Sequence, residues 1–238
     1  MHKLLLLMLF PFVLYVPKTK TIKAADGVDV TIDEYLVSDT STYIVLCHQA
    51  GYSRGEYPET ATKLNKLGYN CIALDARSGK GVNNVWNQTA INAKQAGKST
   101  TYLDAEQDIV AVGNYAYKKS NKKIILLGSS YSASLALKIS TTNAEIKAVV
   151  AFSPGEYFGD KLNLKSAIAL LDKPVFVTSS KTEATEVTAL VKDVKSKMVT
   201  QFIPATAEGI HGASALWFST PNYNEYWIAL IGFLNKQR

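Results

Sequence analysis

The chain has 238 residues, 47% of them hydrophobic and 19% charged, with a net charge of +6. Those proportions describe an ordinary globular domain that buries its core without metal or disulfide support, and they exclude a disordered, collagenous or disulfide-stapled protein. The positive charge is scattered. Its densest cluster, Lys118-Lys119-Ser120-Asn121-Lys122-Lys123, precedes an apolar run and carries no interleaved aromatics, so it reads as a solvated loop and not as a nucleic-acid surface.

Met1-His2-Lys3 precedes an apolar run from Leu4 to Val16, short of the about 20 residues that span a bilayer. A basic tip before such a run predicts an export signal over residues 1–18, or an uncleaved anchor giving membrane association, with a single domain over 19–238. Thr19 to Val37 alternates around Asp26-Gly27, the pattern of an antiparallel hairpin. Tyr43 to Cys47 is a continuous apolar strand, Pro58 to Leu67 an amphipathic helix stopped by Gly68, and Tyr69 to Leu74 the next strand. Lys80 to Thr101 is polar and lacks a period, which predicts a long loop; within it Asn87-Gln88-Thr89 fits a glycosylation acceptor. Leu103 to Tyr117 has a helical period, and Trp227 to Leu234 forms a closing helix. Strands are expected at Ile124 to Leu127, Ile146 to Phe152, Pro174 to Thr178 and Val199 to Ile203. This alternation predicts an α/β fold: a mostly parallel sheet with an N-terminal antiparallel hairpin and helices on both faces. Ser153 to Lys173 leaves no room for a large lid. Cys47 ends its strand and Cys71 opens its neighbour, an offset that predicts two buried free thiols.

The apolar run Ile124 to Leu127 turns sharply through Gly128-Ser129-Ser130-Tyr131-Ser132 into a helix-like segment. Strand, tight turn on small residues and immediate helix is the context of a nucleophile elbow, with Ser130 as nucleophile and small Ser132 in place of the last glycine. A serine hydroxyl needs a base. The three histidines are His2, in the N-terminal run, His48, at the end of the first central strand, and His211, in a Gly209/Gly212-flanked loop after the last strand. His211 is the expected base, and His48 an architectural residue holding its loop. The acid that orients the base is expected beyond a strand end between Ser130 and His211. Glu183 fits best, Glu186 is the alternative, and Asp160 and Asp172 fit less well; Glu183 equally suits a helix cap. Oxyanion donors are expected at the Tyr131 amide and in His48-Gln49-Ala50-Gly51, with Ala50 preferred and Gln49 the alternative. Asp75 and Arg77 read as a loop-anchoring pair. Tyr52, Trp86 and Trp217, with Tyr157, Phe158 and Phe218, are candidate lining for a substrate pocket.

Leu46 to Gly51, Leu74 to Gly79, Gly128 to Ser132, the Pro174 strand with Glu183, and His211-Gly212 resemble the α/β-hydrolase superfamily, in its order, from roughly Thr21 to the C-terminus. Lacking a sizeable lid, the chain is similar to small dienelactone-hydrolase-like esterases, with Ser130 where dienelactone hydrolases proper use cysteine. The resemblance implies hydrolysis of a small-molecule ester or short acyl substrate by a Ser-His-Glu triad, without cofactor or metal. Gln49 after the histidine, Ser132 in the elbow and a glutamate as the acid depart from the usual pattern. Two further readings stay open: a peptidase or amidase on the same triad, and a non-catalytic binding protein that keeps the fold.

Overall fold

The computed structural model describes residues 17–194 and 196–238, so the apolar run from Leu4 to Val16 lies outside the described residues. In chain order the strands are β1 Lys18–Lys23, β2 Asp29–Tyr35, β3 Tyr43–Cys47, β4 Asn70–Leu74, β5 Gly81–Val82, β6 Val85–Trp86, β7 Ile124–Ser129, β8 Ile146–Phe152, β9 Val175–Thr178 and β10 Val199–Phe202. The helices are α1 Pro58–Lys66, α2 Gln88–Gln95, α3 Glu106–Ser120, α4 Tyr131–Thr142, α5 Leu164–Ala167, α6 Ala184–Val191 and α7 Tyr223–Asn235.

One eight-stranded sheet runs in the order β1-β2-β4-β3-β7-β8-β9-β10. β1 and β2 form the expected hairpin, and Gly27 at φ 87° supplies its left-handed turn residue. β2 joins β4 antiparallel, and from β4 to β10 every pairing is parallel. This is the α/β-hydrolase architecture that the sequence predicts.

β3, β4 and β7 are buried along their whole length, as strands covered on both faces must be. Successive side chains alternate between two cores. Val45 and Cys47 pack with Val112 of α3 and Leu135 of α4 on one side. Ile44 and Leu46 pack with Leu64 of α1 and Leu230 of α7 on the other. Cys47 and Cys71 fall in opposite cores and remain free thiols.

Two expectations need correction. Lys80 to Thr101 is not a plain loop: it holds the β5–β6 hairpin, turned by Asn83 and Asn84 at φ 51° and 60°, and then α2. Asn87 caps α2 by accepting the Ala90 N–H at 2.8 Å and donates from Nδ2 to Ala76 O at 2.8 Å. At 1% exposure it is a structural amide and no glycan acceptor. The hairpin is too short to show a period, and α2 buries only Thr89, Ala90 and Ala93, so no large apolar stripe marks it.

Asp75 and Arg77 do not pair with each other. Asp75 binds Arg54 at 2.7 Å, while Arg77 binds Asp26 of the hairpin turn at 2.6 Å and Asp108 of α3 at 2.7 Å. The elements packed against the strand end set the partners, not nearness in sequence. The Arg77 side chain is 1% exposed and ties hairpin, strand end and α3 together. Its removal leaves buried charge unpaired, so Arg77→Ala is expected to lose about 3–5 kcal/mol of stability, read by urea unfolding.

Candidate active site

The sheet register brings the strand ends level. Cys47 lies beside Gly128, Gly128 beside Ala151, and Ala151 beside Val177, so the residues that follow them leave the sheet along one carboxyl edge. Ser130 sits there between β7 and α4 with φ 59° and ψ −125°. A non-glycine residue with positive φ is strained by about 1–3 kcal/mol. The turn is held by Ser130 N–H to Phe152 O at 2.8 Å and by Ala133 and Ser134 N–H to Ser130 O at 2.9 and 3.2 Å. Gly128 is required by close approach, since a Cβ there would meet Ala133 Cα and Ser132 O at 2.5 Å. Ser132, in the last glycine's place, stitches the elbow: its Oγ accepts the Ser129 N–H at 3.0 Å and lies 2.7 Å from Cys47 O.

His211 Nδ1 is hydrogen-bonded to Glu183 Oε1. Glu183 Oε2 accepts from Ser153 Oγ at 2.8 Å, Ser180 Oγ at 2.9 Å and Ser180 N–H at 3.1 Å. Burial raises the Glu183 carboxyl, but the hydrogen bonds from His211, Ser153 and Ser180 and the His211 charge outweigh it, holding the group at about 2. The same bond to Glu183 raises the imidazole above its ordinary 6.5, against the opposing effect of burial. Glu183 stands at the start of α6 but its side chain makes no capping bond, which removes the helix-cap reading. Glu186 is exposed on α6 and is not the carboxylate bonded to His211.

The histidine loop is fixed rather than flexible. Gly212 N–H donates to Ser153 Oγ at 3.0 Å and Ala213 N–H to Ser129 Oγ at 2.8 Å, so two strand ends grip the residues that follow His211. Gly212 has φ 78°, and a Cβ there would meet Gln49 Oε1 at 2.3 Å and Ser129 Oγ at 2.7 Å.

His48 is fully buried and takes the architectural place. Its Nδ1 bonds to Gln49 O at 2.7 Å, and its Nε2 accepts from Ala76 N–H at 2.9 Å and lies 3.1 Å from Asn87 Nδ2. That pattern assigns the proton to Nδ1, and burial pushes the ring's pKa down. Gln49 N–H is committed to Glu56 Oε2 at 2.9 Å. Ala50 and Tyr131 N–H, in contrast, donate to no protein acceptor among the described residues. Of the two candidate donors in that loop, Ala50 is the available one.

Glu56 is a residue that the sequence did not single out. It is 1% exposed beneath the site, and its Oε1 accepts from Ser129 Oγ at 2.9 Å. Burial pushes its pKa up to about 7 despite the bonds from Gln49 and Ser129. In sequence it looks like an ordinary acid at the start of a helix, so no local signal marks it.

The aromatics divide. Tyr52 and Trp217 stack with ring centroids 6.2 Å apart, one from the loop after β3 and one from the segment after His211. Trp86 is 74% exposed on β6 and borders a hollow of about 250 Å³ with Gly81, Val82, Asn84 and Val85. Its hairpin carries it outward, a displacement invisible while the segment reads as a loop. Phe158 is buried in the core, and Phe218 is exposed against Tyr223. Tyr157 donates to Ser153 O at 2.8 Å and lines a cleft of about 480 Å³ with Gly155, Glu183, Glu186 and Leu190. A second hollow of about 200 Å³ includes Ala50, Gly51, Ser78 and Tyr102, whose ring stacks 4.5 Å from Tyr131.

The two histidines are expected to titrate on opposite sides of 6.5 in an NMR pH series, His211 above and His48 below. Glu183→Gln removes the partner that favours the charged ring, so it is expected to bring His211 down and leave His48 unmoved.

The family model of serine aminopeptidase S33 matches residues 38–200, more than half of the chain. No curated protein sequence matches it. Among solved structures, an esterase of Pyrococcus furiosus is 19% identical with a TM-score of 0.69, over 93% of each chain. A dienelactone hydrolase of Anabaena variabilis is 12% identical with a TM-score of 0.66, over 92% of this chain and 96% of that one. An acylaminoacyl peptidase of Pyrococcus horikoshii is 14% identical with a TM-score of 0.66, over 92% of this chain and 41% of that one. At such identities the likeness is one of fold. With the family match over the central sheet and the elbow, the chain belongs to the serine aminopeptidase S33 family of α/β hydrolases.

Proposed function

We propose that the protein is a serine hydrolase that cleaves carboxylic esters of small molecules through an acyl-enzyme. The observation that carries this reading is the His211–Glu183 pair on a loop whose next two amides are tied to Ser153 and to Ser129, the neighbour of Ser130. Ser130 Oγ attacks the ester carbonyl while His211 Nε2 takes its proton. Glu183, ionised over the whole physiological range, orients the ring and stabilises its charged form. The Ala50 and Tyr131 amides receive the oxyanion. The alkoxide leaves with the proton from His211, and water then repeats the sequence to free the acid and restore Ser130. Tyr52 and Trp217 flank the alcohol or acyl group. The esterases among the structural neighbours support an ester substrate.

The family's own description and the acylaminoacyl peptidase neighbour favour amide cleavage as the second reading. Esters and amides share the tetrahedral intermediate, so a panel of short p-nitrophenyl esters against aminoacyl anilides separates them. The proposal also covers location: the basic tip and apolar run of residues 1–18 support export, checked by cell fractionation and the N-terminal mass of the recovered protein.

Ser130→Ala is expected to keep its melting temperature while losing short-chain p-nitrophenyl ester turnover by about 10³-fold or more, together with fluorophosphonate labelling. A wild-type protein that is folded yet takes no label would favour a binding protein. Because His211 must be neutral to accept the Ser130 proton, kcat/KM is expected to rise with pH through an acid limb above 6.5. Glu183→Gln is expected to lower both that limb and the plateau.

A further inference from the structure

We infer that Glu56 is a positioning residue of this site, holding the oxyanion loop and the histidine loop in one frame; the inference rests on the hydrolase reading above. Glu56 ends the short turn Arg54–Glu56, which Ser53 caps by accepting the Gly55 N–H at 3.1 Å. From there one residue reaches three parts of the site. Its Oε2 takes the Gln49 N–H, its Oε1 takes the Ser129 hydroxyl, and its backbone oxygen takes Trp217 Nε1–H at 2.8 Å.

Each contact has a consequence for a reacting group. Holding Gln49 N–H anchors the loop beside Ala50, whose own N–H meets no protein acceptor among the described residues. A Ser129 hydroxyl that donates to Glu56 has its oxygen lone pairs free for the Ala213 N–H, and this fixes the backbone two residues beyond His211. Holding Trp217 sets the ring that stacks on Tyr52. Ser153 makes the matching arrangement on the next strand, donating to Glu183 and accepting from Gly212. Two serine–glutamate pairs at adjacent strand ends therefore grip consecutive amides of the histidine loop.

A purely structural role fits poorly. A buried carboxylate is costly even where it is hydrogen-bonded, because burial penalises its charged form. The groups facing Glu56 are His211 from the loop after β10, Tyr57 from the following residue, Cys47 from β3 and Tyr131 from α4. None of these is a salt-bridge partner. Burial lifts the carboxyl from 4.5 to about 7, so the folded state holds a proton that the unfolded state has released between those values. Stability contributed by Glu56 therefore falls as pH rises through that window, and at pH 8 the ionised group weighs against the fold. A group that weakens the fold while ordering the reacting loops is placed for function.

The test compares wild type, Glu56→Gln, Glu56→Leu and Ser129→Ala with a short-chain p-nitrophenyl ester and by thermal melting at pH 8. Gln accepts through one oxygen only, and Leu accepts through none. The expected result is a kcat loss of about tenfold for Gln and about 100-fold for Leu, with KM within about twofold. The melting temperature of Glu56→Gln is expected to stay at or above that of wild type. Should Glu56→Leu fail to fold, Ser129→Ala decides: it cuts the link to Ala213 and is expected to lower kcat by about tenfold at unchanged KM. The inference is overturned if the folded variants keep kcat within about twofold of wild type, or if kcat falls only in step with melting temperature. A wild type without turnover sinks the hydrolase reading and this inference together; an active wild type with equally active variants sinks this inference alone.

Discussion

The parallel register between β3, β7, β8 and β9 is the constraint from which the site follows. Once Cys47, Gly128, Ala151 and Val177 stand level, whatever follows each strand emerges on one edge within reach of its neighbours. His48, Ser130, Ser153 and Ser179 are the residues that follow, and each is polar. Register is set by hydrophobic burial on both faces, because a slip of one residue would exchange the side chains destined for the two cores. The placement of polar groups thus rests on apolar packing some distance below them.

That support is needed because the edge concentrates unfavourable features. Ser130 and Ser153 both have positive φ, Glu56 is a buried acid, and Gly128 and Gly212 stand where a Cβ would overlap a neighbour. Each is tolerable only where surrounding structure over-determines it. The strain at Ser130 is held by hydrogen bonds to β8 and to the first turn of α4, both anchored in the core. Hydroxyls do much of the joining. Ser129, Ser132 and Ser153 each combine a donor and an acceptor in a small volume, which suits crossings between loops that no regular ladder connects.

The sequence makes the architecture and the central pair of functional groups readable, for reasons that are local. The elbow is a contiguous strand–turn–helix, and the scarcity of histidine leaves His211 as the candidate base. His48 is readable as a loop holder because it ends a buried strand. Glu183 is less sharply specified: a helix cap and a histidine partner look alike until the His211 bond is seen. What stays hidden is long-range. Glu56 meets Ser129 across 73 positions, and Arg77 meets Asp26 across 51. Nothing in the neighbourhood of either residue encodes its partner. Trp86 and α2 are lost for another reason: the hairpin is too short to carry a period, and α2 has no large apolar stripe.

The crowding at Gly212 has an evolutionary consequence. Gln49 Oε1 fills part of the space that a side chain at 212 would need, and Ser129 Oγ fills the rest. The limit at 212 is therefore shared: a small residue at 49 would remove one obstacle, while Ser129 Oγ and the positive φ would still favour glycine. Covariation of position 212 with positions 49 and 129 is the trace such a shared limit would leave.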